Sequence, residues 1–242
     1  MNGPAAPAAS FLLYQGFLVL PVVVALVLWL FHRRARVRMR GGPSALSVGV
    51  GIFLWLWATG GLALSGVLGR FDLRPAPFAI LIFLTVLLSA YVGLSRVGAA
   101  LATLPLSWLV ALMAFRFPLE LLRHQAVVEG VMPKQMSYLG WNFDILIGVT
   151  AVLLAPAIAW GRVPRWAIGA WNALGAAMLL NVITVAMAST PLFRAFGKAP
   201  QKLNTFVTFF PYVWLPTVLV ATAIVLHIVI ARALRARAQE AV

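Results

Sequence analysis

The 242-residue chain has no cysteine, 5 acidic residues, and charged residues at only 10% of its length. The missing thiols exclude a disulfide scaffold and a thiolate metal site. Soluble domains are roughly a quarter charged, so the shortage of charge excludes an ordinary water-soluble fold, and the shortage of polar residues excludes disorder. Catalytic signatures are missing as well. The sequence carries no Walker loop, nucleophile elbow or paired-aspartate pattern, and no catalytic residue is assigned from it. What is present is apolar: 63% of the residues are hydrophobic and the mean hydropathy is +0.98. That composition specifies a polytopic, all-α integral membrane protein.

The net charge of +14 would suggest a nucleic-acid surface in a soluble protein, but the basic residues sit in short segments between apolar runs. Nucleic acid is therefore not an expected partner. Spanning a hydrocarbon core of about 30 Å takes roughly 20 apolar residues. Runs of that kind predict seven spans in a single domain, at 11–31, 45–68, 77–94, 97–122, 143–160, 166–188 and 209–231. The fourth run is ambiguous. Helical pattern continues from Val97 to Gly130, about 50 Å at 1.5 Å per residue. Either one kinked helix crosses there, or a span ends near Phe115 and a short interfacial helix follows with Pro118 in its first turn. The second arrangement is preferred.

Orientation follows from the arginines and lysines. One side collects Arg33, Arg34, Arg36, Arg38, Arg40, Arg96, Arg162, Arg165, Arg232, Arg235 and Arg237; the other has Arg70, Arg74, Lys134, Arg194, Lys198 and Lys202. The richer side is cytoplasmic. Met1 to Ser10 holds no basic residue and so lacks the charged start of a cleavable signal; the N-terminus is expected outside, the C-terminus inside, and the whole in the inner cell membrane. Three seven-span architectures can be compared with this one. A retinal protein needs a lysine within the last span, whereas Lys134, Lys198 and Lys202 all fall in outer loops. Pro21 and Pro156, with Pro77 and Pro211, recur at near-equal offsets, a weak sign of an inverted repeat. No receptor-type signalling motif is present.

Ionisable groups in hydrocarbon are costly unless paired or hydrated, so those inside spans mark the informative positions. Arg116, Glu120 and His124 are spaced four apart; on one helix they share a face, with Glu120 able to pair with Arg116 on one turn and His124 on the next. Asn142 and Asp144 begin the fifth span from the same outer side. Asn181 is placed at a similar depth, 15 residues beyond Trp166, about 22 Å up the sixth helix. Asn172 is expected nearer the cytoplasmic end and apart from this group. Arg116, Glu120, His124, Asn142, Asp144 and Asn181 are thus the candidate ligand or ion pathway. Competing accounts are ordinary ones: Asn142 and Asp144 capping the fifth helix, and an ion-paired staple through Arg116, Glu120 and His124. Glu129 is taken as a solvated helix end.

No cofactor or metal is assigned. Glu120, His124 and Asp144 offer a thin donor set for a catalytic zinc, and haem ligation by His32 and His227 is geometrically conceivable, although His32 is more simply interfacial and His227 a hydrogen-bonding residue within the bundle. Three function classes follow. The preferred one binds or moves a small polar solute, proton or lipid head group through an outward-facing polar cavity. The others are an accessory subunit of a larger membrane complex and an intramembrane enzyme acting on a lipid-like substrate with Glu120 or Asp144 as acid or base. Beyond the bilayer, the partner is left open between a second copy and another membrane protein.

Overall fold

The computed structural model describes residues 6–37 and 41–239. Arg38, Arg40 and the two ends of the chain, on which part of the charge and topology argument rests, lie outside the described residues. Among the described residues all regular structure is helical.

Helix α1, Phe11–Arg36, is N-capped by Ser10, whose hydroxyl accepts from the Leu13 amide, and carries Arg33, Arg34 and Arg36 in its last turn. These charges suit the negative end of the helix dipole. Helix α2, Ala45–Leu64, is capped by Ser44, whose hydroxyl accepts from the Ser47 amide, and α3, Pro77–Leu94, opens on a proline, whose missing amide costs nothing in a first turn. The next run divides into α4, Arg96–Ala102, α5, Leu106–Met113, and α6, Arg116–Val128. Then come α7, Ile145–Ala159, and α8, Arg165–Ala188. The last run starts as a π-helical segment, Leu215–Val220, and continues as α9, Ala221–Gln239.

Five of these helices are long and apolar enough to cross a bilayer, or six if the bent pair formed by Arg96–Ala102 and Leu106–Val128 counts as one span. The fourth expected run differs most. It bends by 108° between those two pieces, because Pro105 lacks an amide and disfavours helical geometry at Leu104. A second break before Arg116 puts Pro118 in the first turn of α6, as in the preferred arrangement, but α6 buries Arg116, Leu119, Glu120, Arg123 and Ala126 rather than lying on the surface. The fifth expected span is helical for only 15 residues, about 22 Å. Gly161 at φ +70° ends it with left-handed geometry, which glycine adopts without penalty.

Packing centres on α9. In the helix running to Gln239, 61% of the apolar stretch is buried, against 11% in α2, which marks α9 as the axis and α2 as the periphery. Helix α9 packs on α3, α4, α5 and α8, while α7 packs on α5 and α6. Gly148 permits that second contact: a Cβ there would run into the Phe117 amide nitrogen, with Arg116 C at 2.8 Å. Arg232 donates to the Gly93 and Ser95 carbonyls at 2.6 and 3.0 Å, and Arg237 to Leu104 O at 2.7 Å. The Gly93 and Leu104 carbonyls, left over at the ends of α3 and α4, are satisfied from α9 in this way, while Ser95 O also accepts from the Ala99 amide. Helix α2 is held by a reciprocal pair of indoles, Trp55 Nε1 donating to Thr217 O at 2.8 Å and Trp214 Nε1 to Leu56 O at 3.2 Å.

Candidate functional site

Seven polar side chains form a network across α6, α7, α8 and α9, in one directly bonded group of three and another of four that are linked through the Asp144 backbone amide. Asp144 Oδ1 accepts from Arg116 Nη1 at 2.8 Å, and Glu120 Oε1 from Arg123 Nη1 at 2.8 Å. Asn142 joins the two pairs: its Nδ2 donates to Glu120 Oε1 at 2.8 Å, and its Oδ1 accepts from the Asp144 amide at 2.9 Å. Arg123 and Asn142 both donate to the Met136 carbonyl. On the other flank Arg116 Nη2 lies 3.1 Å from His227 Nε2, and His227 Nδ1 lies 2.9 Å from Asn172 Oδ1. A guanidinium can only donate, so His227 Nε2 is the acceptor, the proton sits on Nδ1, and the imidazole is neutral. Two cations thus face two carboxylates, and the network carries no net charge.

This pairing corrects the expected one. Side chains on a helix lean toward its N-terminus. Arg116 therefore reaches away from Glu120 toward α7 and α9, while Arg123, three residues later, reaches back onto Glu120. His124 does not pair with Glu120; its ring stacks on Tyr138 with centroids 5.1 Å apart and planes 20° apart. Asn181 stands apart, its Nδ2 donating to Trp141 O at 2.6 Å. Asn172, expected to lie outside the group, belongs to it: its Nδ2 also donates to the His227 carbonyl at 3.1 Å. Asn142 serves a backbone amide at the start of α7, as expected of a cap, whereas the Asp144 side chain caps nothing and is committed to Arg116.

Sequence reasoning passed over Arg123, Asn172 and His227 as partners here. A signal existed for Arg123, which follows Glu120 by three residues, the spacing at which helix side chains meet. For His227 the signal lay in its neighbour: a Cβ on Gly175 would sit 2.7 Å from His227 Cε1, so a glycine makes room for the ring. Both ring nitrogens of His227 are engaged, leaving none for iron. Glu120, His124 and Asp144 are each held by different partners, so no shared metal position forms from them. Glu129 is a tie rather than a free helix end. It accepts from the Ser10 amide and hydroxyl, both at 2.7 Å, and from Gln125 Nε2 at 2.8 Å, and these bonds hold its carboxyl below the usual range, the Ser10 amide most.

The network is closed: Arg116, Glu120, Arg123, Asn142 and Asp144 are all 3% exposed or less. An apolar cavity lies elsewhere, among α1, α2, α3, α4 and the π-helical start of α9. It measures about 590 Å³ and is lined by residues such as Leu28, Ile52, Trp55, Val92, Leu101 and Val225. Leu54 on α2 and Leu88 on α3 belong to its wall and are 54% and 41% exposed, so it opens between α2 and α3 on the outer surface of the bundle. Three of its hydroxyls are spent on their own helices: Thr85 donates to Leu81 O, Ser89 to Thr85 O and Thr217 to Val213 O. The chamber is therefore apolar along most of its length. The π-helical turn widens the helix where it forms the wall, a feature often found at functional sites.

No family model, curated protein or solved structure matches this chain. The apolar helices make it a membrane protein, and the geometry of the two sites carries the functional argument.

Proposed function

We propose that the protein binds a lipid-like amphiphile, which enters from the bilayer between α2 and α3, in the inner cell membrane. The observation that carries this reading is the cavity. At about 590 Å³ it falls within the range of small-molecule sites, and its apolar wall favours a hydrocarbon chain over a hydrated solute. The polar network plays a different part, as a neutral frame tying α6, α7, α8 and α9 together beside the chamber. A stearoyl chain brominated at mid-length tests the reading, because bromine quenches indole fluorescence on contact and Trp55 forms part of the wall. Quenching in the purified protein should fall in Trp55→Phe. It should fall again in Gly51→Leu, where an added Cβ meets nothing within 4 Å and a bulky, non-fluorescent side chain obstructs the wall without clashing. Equal quenching in all three would overturn the proposal.

A second reading keeps the expected pathway for a polar solute or proton through Arg116, Glu120, His124, Asn142, Asp144 and Asn181. It is favoured by buried valences left open in the network: among the described residues Glu120 Oε2, Arg116 Nε and Arg123 Nε have no hydrogen-bond partner. Solute or proton flux in vesicles that is abolished by His124→Ala, which breaks neither buried ion pair, would support it. Flux-free vesicles, with a stable network, leave those residues as the staple of a binding protein or complex subunit. The seven-crossing topology with the N-terminus outside belongs to the same proposal and requires α7 to cross a locally thinned bilayer. The cysteine-free chain permits single introduced thiols at Lys198 and Arg162, which should label from outside and inside respectively.

A further inference from the structure

We propose, resting on the cavity reading above, that the amphiphile is a long-chain carboxylic acid whose head group is held by His32. His32 lies four residues before the end of α1 and contributes to the wall of the chamber. It is only 2% exposed, and among the described residues neither Nδ1 nor Nε2 makes a hydrogen bond of ordinary geometry; the Pro43 carbonyl, which accepts from Arg36, lies beside the ring. A buried imidazole with both nitrogens unsatisfied is costly, and the cost is relieved by a ligand group that accepts from its N–H. Thr85, Ser89 and Thr217 donate to their own helices, which leaves the His32 imidazole and the Thr222 hydroxyl as polar groups of this wall, and of the two His32 lies beside the arginines at the end of α1.

The charge around His32 selects the head group. Arg33, Arg34 and Arg36 follow it in the last turn of α1. Arg36 is fixed close by, its Nη1 donating to Pro43 O at 3.1 Å, while Arg33 and Arg34 lie over the Trp29 and Trp108 rings. A carboxylate at His32 accepts from the ring N–H and sits in the field of these guanidinium groups. Its alkyl chain then runs along Leu28, Ile52, Val92 and Val225, away from the charge. A neutral head group would gain the hydrogen bond alone.

The experiment compares 9,10-dibromostearic acid with its methyl ester, each titrated into the full-length protein in detergent and read by quenching of Trp55, with Trp55→Phe subtracted. The acid should bind about tenfold or more tightly than the ester, the factor expected of a charge-assisted hydrogen bond. His32→Leu should reduce the acid to the affinity of the ester and leave the ester unchanged, while His32→Gln, which keeps a donor, should recover part of the difference. Acid and ester binding equally to the unaltered protein would overturn the carboxylate assignment while leaving the chamber a hydrocarbon site. Equal weakening of both by His32→Leu would likewise overturn it, since the residue would then act on the shape of the wall. Failure of both probes to quench Trp55 overturns the cavity reading itself, and the assignment with it.

Discussion

Replacing Asp144 by asparagine removes the counter-charge of a guanidinium that is 1% exposed and bonded to it at 2.8 Å. Arg116 then keeps only its bond to neutral His227 and the more distant charge of Glu120. Deleting one partner of a buried pair typically costs about 3 to 5 kcal/mol, because the remaining charge is left uncompensated away from water. For a chain of this size that corresponds to an apparent melting midpoint lower by roughly 6 to 20 °C. Arg116→Met in the Asp144→Asn background removes the orphaned charge and replaces it with apolar bulk, so the double variant should recover several degrees. The assay is thermal unfolding in one detergent at one scan rate, completed as a double-mutant cycle. Its control is the cycle of Arg116 with Glu120: those two residues share no hydrogen bond, and their coupling should be the weaker. The reasoning fails if Arg116→Met and Asp144→Asn add within about 0.5 kcal/mol, since residues without mutual contact behave that way.

Other outcomes follow from the same geometry. Gly148→Ala should lower the melting midpoint by an overpacking cost of about 1 to 3 kcal/mol, because its Cβ meets the backbone of Phe117 and Arg116 rather than a movable side chain; an unchanged midpoint would mean that α7 does not approach α6 so closely. Glu129 contributes through a depressed carboxyl pKa, so its contribution is present above the ordinary carboxylate range and is lost as the pH falls through the lowered value. Glu129→Gln should flatten the acid limb of the midpoint-against-pH curve, and a limb of unchanged steepness would refute the tie. Asp72, held at about 2 chiefly by its hydrogen bonds from Arg70, should stay ionised to lower pH than Glu129, which carboxylate titration by NMR reads directly. Trp55→Phe should loosen α2 by freeing Thr217 O, seen as faster labelling of a thiol introduced at Ile52; unchanged labelling would place the hold on α2 elsewhere.

The sequence by itself determined the solvent. Hydropathy and the scarcity of charge are local sums, so they identified apolar helices and the positions where polar residues enter them. It also determined the helix starts at Ser10, Ser44 and Pro77, where a cap or a first-turn proline acts within a few residues. Even the position of Pro118 in a first turn was legible, since proline acts on its own segment. Tertiary structure decided which charges meet. Glu120 had Arg116, Arg123 and His124 all within one turn, and the lean of helical side chains, together with the arrival of Asp144 beside Arg116, divided them into two pairs. The membership of Asn172 and His227 depended on α8 and α9 packing at Gly175, a contact between residues 52 positions apart that no periodicity reports. The cavity lay further still from local pattern. It exists because α2 is held at the rim by its indoles while α3 packs on α9, and a space between helices belongs to no single helix.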